Sequence, residues 1–298
     1  MTWVVDNLDQ TIREWQKLGI SSVHERGIID FPEAIYRGSP VRVRVRSAST
    51  RLGNVTIDWY QPVEGKNAFT DFLAKHGNGV FSLVHRVPSA EALRMETQRL
   101  SRKGVSVLQK ASMKSESGTM SFTYFDTETE GKYVLGLVYF PGPAESQVEA
   151  TPARNVVQYA FVVQKVQPVL EYWEKLGFAD ISVTHPALWD LRYHDQPGRF
   201  DAKLGWQRDG RIIYEWIEPL RGPTVYLDHV KKHGEGFHHF ALQVEDIDSE
   251  SARWASLGFQ FLQGGAWGER NKPGYGRFAY QDAESIGGID VELLWNFK

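Results

Sequence analysis

Residues 215–222 read EWIEPLRG and residues 232–237 read KHGEGF, and both stretches repeat a pattern found earlier in the chain. The earlier copies are DWYQPVEG at 58–65 and KHGNGV at 75–80, so the offset is 157 residues in each case. Chance similarity does not hold one register over such a distance, and a fixed period is the mark of an internal repeat. The sequence therefore predicts a tandem duplication.

The register of this repeat holds along most of the chain. Residues 122–126 (FTYFD) match residues 278–282 (FAYQD) at an offset of 156. Gly19 matches Gly177 at an offset of 158, and each glycine follows a segment with helical spacing of apolar residues. The small changes in offset correspond to single-residue insertions or deletions between two copies of one fold.

The chain has 298 residues, which is enough for two domains with full cores. We expect these domains at 1–140 and 154–298, joined by a proline-containing linker at 141–153. In the second domain an apolar strand (157–163) leads into an amphipathic helix (about 166–176), further strands follow, and the same order then restarts. Alternating apolar positions and helix-ending glycines predict four strand–helix–strands units in an α+β fold.

Composition and charge exclude several classes of protein. A net charge of -3 and a pI near 6.3 give no electrostatic reason to expect nucleic acid or an anionic membrane as a partner. The Val-Arg alternation at 41–46 predicts a strand with one polar face. The chain has no cysteine, so disulfides, thiolate metal sites and a cysteine nucleophile are excluded. With no membrane-length apolar run and no recognisable signal peptide, we expect a cytoplasmic protein.

Strand alternation places four polar side chains of the second domain on faces of mixed polarity. Gln158, Glu215, His239 and Glu292 each lie on the mixed face of a predicted strand, whereas the opposite faces are apolar and should pack under helices. His238 falls on the face opposite His239, and we expect it to pack under a helix. The sequence therefore predicts a cavity into which the four side chains point.

The motifs that carry these residues resemble a known family. GEGFHHFALQV (234–244), EWIEPL (215–220) and GIDVELL (288–294) are similar to motifs of the vicinal oxygen chelate superfamily. That superfamily includes glyoxalase I, methylmalonyl-CoA epimerase, extradiol dioxygenases and bleomycin-resistance proteins. The resemblance covers nearly the whole chain and is closest to glyoxalase I and methylmalonyl-CoA epimerase. It implies two domains, each built from paired βαβββ modules that form a half-open cup around a metal.

In this family one residue from each of four strands binds the metal. The resemblance assigns these positions to Gln158, Glu215, His239 and Glu292, a set similar to the ligands of some glyoxalase I enzymes. Imidazole nitrogen and carboxylate oxygen suit divalent Zn, Ni, Co, Mn or Fe. Such an ion polarises a carbonyl, and a carboxylate that leaves the ion can move the adjacent proton. Glu292 and Glu215 are the candidates for this catalytic role.

The first domain departs from the family's pattern. At an offset of 157, the positions equivalent to Glu215, His239 and Glu292 are Asp58, Ser82 and Leu135, respectively. At the offset of 158 that holds for the N-terminal segments, the equivalent of Gln158 falls before Met1. One oxygen ligand of four does not hold a metal. We therefore expect the first domain to be a structural partner or a pocket wall.

These inferences favour a metal-dependent lyase or isomerase of the glyoxalase or epimerase type, acting on a small organic or aromatic substrate. An extradiol-type ring-cleaving dioxygenase is an alternative that the two-domain length favours, but Gln158 stands where a first histidine ligand is expected. A binding or resistance protein that sequesters an apolar ligand is another. Instead of binding a metal, Gln158 could make a structural hydrogen bond, and Glu215 could form an ion pair with Arg211 or Lys203. The sequence is compatible with a homodimer.

Overall fold

The computed structural model describes residues 1–115, 118–142, 155–210 and 212–297. Most of the expected linker, residues 143–153, lies outside the described residues. The chain divides into two compact units, which we call the first and second units. The first comprises Met1–Arg13, Ile20–Arg51 and the chain from Val55 to the linker, and the second comprises Glu14–Gly19, Leu52–Asn54 and the chain after the linker.

The first half of the chain contains eight strands and four helices among its described residues. The strands are β1 (Thr2–Val4), β2 (Val23–Tyr36), β3 (Ser39–Leu52), β4 (Val55–Glu64), β5 (Gly79–Arg86), β6 (Val107–Ser115), β7 (Gly118–Phe125) and β8 (Val134–Tyr139). The helices are α1 (Leu8–Lys17), α2 (Ala68–His76), α3 (Ala90–Arg102) and α4 (Glu128–Gly131).

The second half repeats this order of elements, with the strand that corresponds to β2 divided into three short pieces. The strands are β9 (Val156–Val162), β10 (Ser182–Thr184), β11 (Leu188–Tyr193), β12 (Gln196–Pro197), β13 (Asp201–Asp209), β14 (Ile212–Arg221), β15 (Gly236–Gln243), β16 (Phe261–Trp267), β17 (Gly276–Gln281) and β18 (Asp290–Asn296). The helices are α5 (Val166–Leu176), α6 (Val225–His233), α7 (Ile247–Ser256) and a 3-10 turn, Glu284–Ile286. The predicted α+β fold of four βαβββ modules is confirmed.

The strands of the first unit close into a barrel, in the order β1-β4-β3-β2-β6-β7-β8-β5. Its interior is filled by buried side chains that include Phe31, Phe69, Phe81, Phe122 and Tyr124, most of them in edge-to-face contact. The predicted Val-Arg strand is part of β3, where Val43 and Val45 are buried while the intervening arginines form ion pairs. The interior of this barrel is therefore a packed core.

The second unit has the same circular order of strands but is open. Its sheet runs β10-β13-β14-β9-β15-β18-β17-β16-β11-β12. In the first unit β2 is continuous and pairs with both β3 and β6. In the second unit β10 pairs with β13, and the chain then crosses at 185–187 so that β11 pairs with β16. The cup therefore opens where the strand equivalent to β2 is interrupted.

Helix α5 illustrates why the predicted helices form. Its buried residues recur every three or four positions, which makes one apolar stripe: Val166, Val169, Leu170, Trp173 and Leu176. The helix ends at Gly177, whose φ of 101° is favourable only for glycine. The bounds of α5 agree with those of the predicted helix. The strand predicted at 157–163 is observed as β9, which begins and ends one residue earlier than predicted.

Replacing Gly205 with alanine should destabilise the second unit by about 1–3 kcal/mol, because β13 packs directly under α5. A Cβ at Gly205 would lie 2.6 Å from Val166 Cγ1 and 2.9 Å from Leu170 Cδ1. Urea unfolding would measure the loss. Adding Val166→Ala to the variant removes the closest clash and should recover part of the stability, whereas an unchanged midpoint for Gly205→Ala alone would contradict this packing.

In the described part of the chain, none of the helices has the length and apolar character needed to cross a bilayer.

Candidate functional site

Four adjacent strands of the second unit carry the four predicted donors. Across β14, β9 and β15, Ala160 lies between Glu215 and His239. Two residues further along β15, Ala241 lies between Gln158 on β9 and Glu292 on β18. Both alanines are fully buried. Because the residues between the donors are small, the four longer side chains can converge above them.

The donor atoms lie close together. Gln158 Nε2 donates a hydrogen bond to Glu215 Oε2 at 2.7 Å and lies 3.5 Å from Glu292 Oε2. His239 Nε2 lies 3.3 Å from Glu292 Oε2. The structure thus brings all four side chains into one cluster. Gln158 therefore makes the hydrogen bond that was its alternative role. Glu215 accepts that hydrogen bond and forms no ion pair with Lys203 among the described contacts. Arg211 lies outside the described residues.

The cluster is buried, and it contains two carboxyl groups, Glu215 and Glu292, but no permanently positive side chain. Each of the four side chains is at most 5% exposed. Burial, followed by the charge of Glu292, raises the pKa of Glu215 well above its ordinary value. Two neighbouring buried carboxyl groups disfavour simultaneous ionisation unless a cation lies between them. The site therefore favours either a proton or a cation.

The donor set fits a divalent cation. His239 Nε2 is buried and has no hydrogen-bond partner, as expected for a nitrogen lone pair that faces a ligand position. Two ligand atoms about 2.1 Å from one ion lie roughly 3.0–3.4 Å apart for angles near 90–109°. The separation of 3.3 Å between His239 Nε2 and Glu292 Oε2 falls in this range.

Within the ranges that the structure describes, no group of three or more His, Cys, Asp or Glu side chains is already arranged around a common metal position. In this state the two carboxyl groups contact the side chain of Gln158 instead. Its amide nitrogen occupies the space near Glu215 Oε2 and Glu292 Oε2, where its N–H bonds replace the positive charge of an ion. Because Oε1 is the amide atom that binds cations, Gln158 must reorient for metal binding. That these residues bind a metal stays a prediction.

The prediction that His238 faces away from His239 is wrong. A β-bulge interrupts the pairing of β15 with β9 between Phe237 and His239. The bulge turns the His238 ring toward the same side, where its centroid lies 5.7 Å from that of Tyr280, while His239 lies 4.8 Å from Tyr280. The expected contact with a helix does occur, since His238 also packs against Tyr226 of α6. Burial lowers the pKa of His238 well below its ordinary value.

Two tyrosines near the donors were missed by sequence reasoning. Tyr280 lies opposite Glu292 across β17 and β18, and its hydroxyl is 2.9 Å from that of Tyr226. Burial and then the charge of Glu292 raise the pKa of Tyr280, so its hydroxyl stays protonated and can donate a hydrogen bond. The repeat contained a signal for Tyr280, because it matches Tyr124, whose side chain lies inside the first barrel.

The rest of the cup is apolar and aromatic. Its buried core combines alanine and aliphatic side chains of the central strands with Phe200, Tyr226, Phe278 and Tyr280. A cleft of about 390 Å³ lies beside the interruption at 185–187, and its lining includes His185, Leu188, Leu191, Arg199, Phe200 and Arg221. Leu188, Leu191 and Phe200 belong both to this cleft and to the cup core. The cleft thus borders the interior of the cup.

The corresponding position in the first unit lacks a comparable donor set. Thr2 pairs with Asp58 and Ser82, as Ala160 pairs with Glu215 and His239. Asp58 forms an ion pair with Arg26 at 3.0 Å.

The predicted equivalence of Leu135 with Glu292 is wrong. Ser82 pairs with Val134 as His239 pairs with Asp290, so Gly136 occupies the position of Glu292. A Cβ at Gly136 would lie 2.7 Å from Ser82 Oγ and 3.1 Å from Tyr124 Cδ1. The barrel interior therefore has no room for a carboxylate at this point.

The sequence matches the pattern of the glyoxalase/bleomycin resistance protein/dioxygenase superfamily twice, at residues 1–124 and 157–280. Because the two matches cover well over half of the chain, the protein belongs to this superfamily. The resemblance drawn from the motifs is confirmed. Membership supports an enzyme of this general type and does not specify the reaction. No curated protein matches the chain significantly.

Solved structures share the fold at low sequence identity. A mutant of 4-hydroxymandelate synthase from Streptomyces coelicolor aligns with 99% of this chain and 91% of its own length, with a TM-score of 0.61 and 15% identity. A xylose isomerase-like TIM barrel/4-hydroxyphenylpyruvate dioxygenase fusion protein aligns with 99% of this chain, at a TM-score of 0.56 and 14% identity. The chain spans 48% of that fusion protein. These similarities establish the two-domain fold alone.

Proposed function

We propose that the second unit is a metal-dependent active site that promotes proton transfer next to a carbonyl group, as a lyase or isomerase does. The observation that carries the proposal is the buried convergence of Gln158, Glu215, His239 and Glu292, in which His239 Nε2 has no hydrogen-bond partner. A divalent ion held by these residues would supply Lewis acidity to the substrate carbonyl.

The chain's own residues have distinct roles in this proposal. Glu292 would be the base that removes the proton next to the carbonyl, because it is a carboxylate at the proposed cation position and a carboxylate that is released from a cation can accept a proton. Tyr280 is the available hydrogen-bond donor for the oxygen on which negative charge develops. The aromatic cup excludes water and suits a small organic or aromatic substrate.

Replacing Glu292 with glutamine should reduce the proposed proton transfer by about 100-fold or more, because a carboxylate base is lost. The assay incubates protein loaded with Zn²⁺, Ni²⁺ or Co²⁺ with a panel of small aliphatic and aromatic carbonyl compounds in D2O, and NMR measures deuterium incorporation next to the carbonyl. Glu130→Gln, which removes one exposed carboxylate from the first unit, is the charge-matched control. Full exchange activity in Glu292→Gln would eliminate Glu292 as the base.

A dioxygenase is the second candidate, favoured by the similarity of nearly the whole chain to structures named as a 4-hydroxymandelate synthase and a 4-hydroxyphenylpyruvate dioxygenase fusion. The presence of Gln158 where the first histidine ligand is expected weighs against it, because non-haem iron oxygenases commonly use two histidines and one carboxylate.

Metal analysis and oxygen uptake separate the candidates. About one equivalent of Zn, Ni or Co with solvent exchange and no oxygen consumption supports the lyase or isomerase. Oxygen uptake by the Fe(II)-loaded protein with a catechol or an aromatic 2-oxo acid supports the dioxygenase. Absence of any bound metal, together with tight binding of an aromatic ligand, would leave a binding protein instead.

A further inference from the structure

The contact between His238 and His239 has no role in the donor cluster described so far. Their Nδ1 atoms are 2.7 Å apart, and both rings are fully buried. Successive residues of a regular strand point to opposite faces, so their rings do not normally meet. The bulge between Phe237 and His239 removes this restriction and brings the two imidazoles edge to edge.

Metal binding imposes a requirement on this contact. When a neutral histidine binds an ion through Nε2, its remaining proton is on Nδ1 and needs an acceptor. For His239 the acceptor within hydrogen-bond distance is His238 Nδ1. His238 then carries its own proton on Nε2, which lies 3.5 Å from Asp290 Oδ2. The position of His238 Nδ1 thus directs the lone pair of His239 Nε2 toward Glu292.

We propose that His238 is a positioning residue, which holds His239 in the tautomer and orientation that cation binding needs. This inference rests on the proposed function, because it assumes that the site holds a divalent cation. Hydrogen-bond partners of this kind fix the ring orientation of a histidine ligand and commonly contribute 10–100-fold to metal affinity.

The first unit shows that the fold itself does not need an imidazole at this position. β1 and β5 have the same register shift, and Phe81 stands where the second unit has His238. Phe81 packs against Phe69 and Tyr124, with centroid distances of 5.1 and 5.0 Å. His238 packs in the same way against Tyr226 and Tyr280. An aromatic ring therefore satisfies the packing, and the nitrogen atoms serve the contact with His239.

Two variants of the full chain test the proposal. His238→Phe keeps a ring of the kind that the first unit accommodates but removes the acceptor, and His238→Asn keeps an acceptor oxygen near the position of Nδ1. The affinity for Co²⁺ is measured by competition with a chelator, and the Co²⁺ absorption spectrum reports the geometry of coordination. Thermal melting of the metal-free proteins serves as the control for folding.

We expect His238→Phe to bind Co²⁺ about 10–100-fold more weakly than the wild type, with an altered spectrum and a similar metal-free melting temperature. His238→Asn should recover most of the affinity. Equal Co²⁺ affinity in His238→Phe and wild type, or equal losses in both variants, would overturn the proposal while leaving the metal site intact. If the wild type itself binds no divalent ion, the proposed function fails first. If His238→Phe does not fold, two other measurements test the proposal. One is the Co²⁺ affinity of His238→Asn. The other is ¹⁵N NMR of the Zn²⁺-loaded wild type, which must show the proton of His239 on Nδ1.

Discussion

Replacing His239 with alanine is expected to weaken Zn²⁺ or Co²⁺ binding by at least about 100-fold, which corresponds to about 2.7 kcal/mol of binding free energy. His239 supplies the only nitrogen of the proposed ligand set, and its Nε2 is buried without a hydrogen-bond partner. The two carboxylates that remain have no nitrogen ligand beside them. Isothermal titration calorimetry or chelator competition measures the loss.

The duplicated chain offers a matched control for this variant. Ser82 occupies the position of His239 in the first unit, because Ser82 pairs with Thr2 of β1 as His239 pairs with Ala160 of β9. Ser82→Ala should leave the metal affinity unchanged, because Asp58 and Gly136 cannot complete a site around it. At a metal concentration of 100 times the dissociation constant, the ion should also stabilise the wild type by about 2.7 kcal/mol. Wild-type affinity in His239→Ala would show that the ion binds elsewhere.

The second large effect concerns Glu215 in the metal-free protein. Glu215→Gln should be more stable than the wild type by about 1–3 kcal/mol near neutral pH, because an amide removes the cost of a buried, uncompensated carboxyl group. The amide oxygen still accepts the hydrogen bond from Gln158. Urea unfolding of both proteins across a pH series measures the difference in the free energy of unfolding.

The pH dependence follows from the direction of the pKa shift. Burial and Glu292 raise the pKa of Glu215 above the ordinary value of 4.5. The folded state therefore binds the proton more tightly than the unfolded state, so the contribution of this group to stability is fully present below about pH 4.5 and is lost as the pH rises through the raised pKa. The advantage of Glu215→Gln should be absent in acid and should grow toward neutral pH.

Metal and a matched substitution provide the controls for this effect. With saturating divalent ion the order should reverse, because the wild type retains a charged ligand that the variant lacks. Asp58→Asn is the equivalent change in the first unit, where it removes the partner of Arg26 and should give no stabilisation at any pH. A Glu215→Gln protein that is less stable than the wild type at every pH, with or without metal, would contradict the electrostatic account.

Much of the scaffold could be predicted because its signals are local. The helical stripe that ends at Gly177 and the alternation on β9 need only a few neighbouring residues, so α5 and the inward face of Gln158 were both predicted. The repeat then transferred these assignments between the two copies. Glu215, His239 and Glu292 were likewise placed on one face, and the structure brings them together.

The errors all arose where strand pairing departs from a regular register. His238 was assigned to the wrong face because one extra residue in β15 forms a bulge. Leu135 was assigned in place of Gly136 because the offset between the copies changes near the end of the chain. The bulge could not be read from a single sequence, since bulges are defined by the partner strand. The change of offset could have been read, because the match of residues 122–126 with 278–282 at 156 already indicates Gly136.

Local pattern was sufficient to establish the duplication, the α+β modules and the half of the chain that carries nitrogen and oxygen donors, because period and residue type are properties of the chain itself. Tertiary pairing decided how those donors meet. The two alanines between them, the bulge that joins His238 to His239, and the opening of the second cup at 185–187 all depend on which residues face each other across strands. Those partners are distant in sequence, so only the folded chain specifies them.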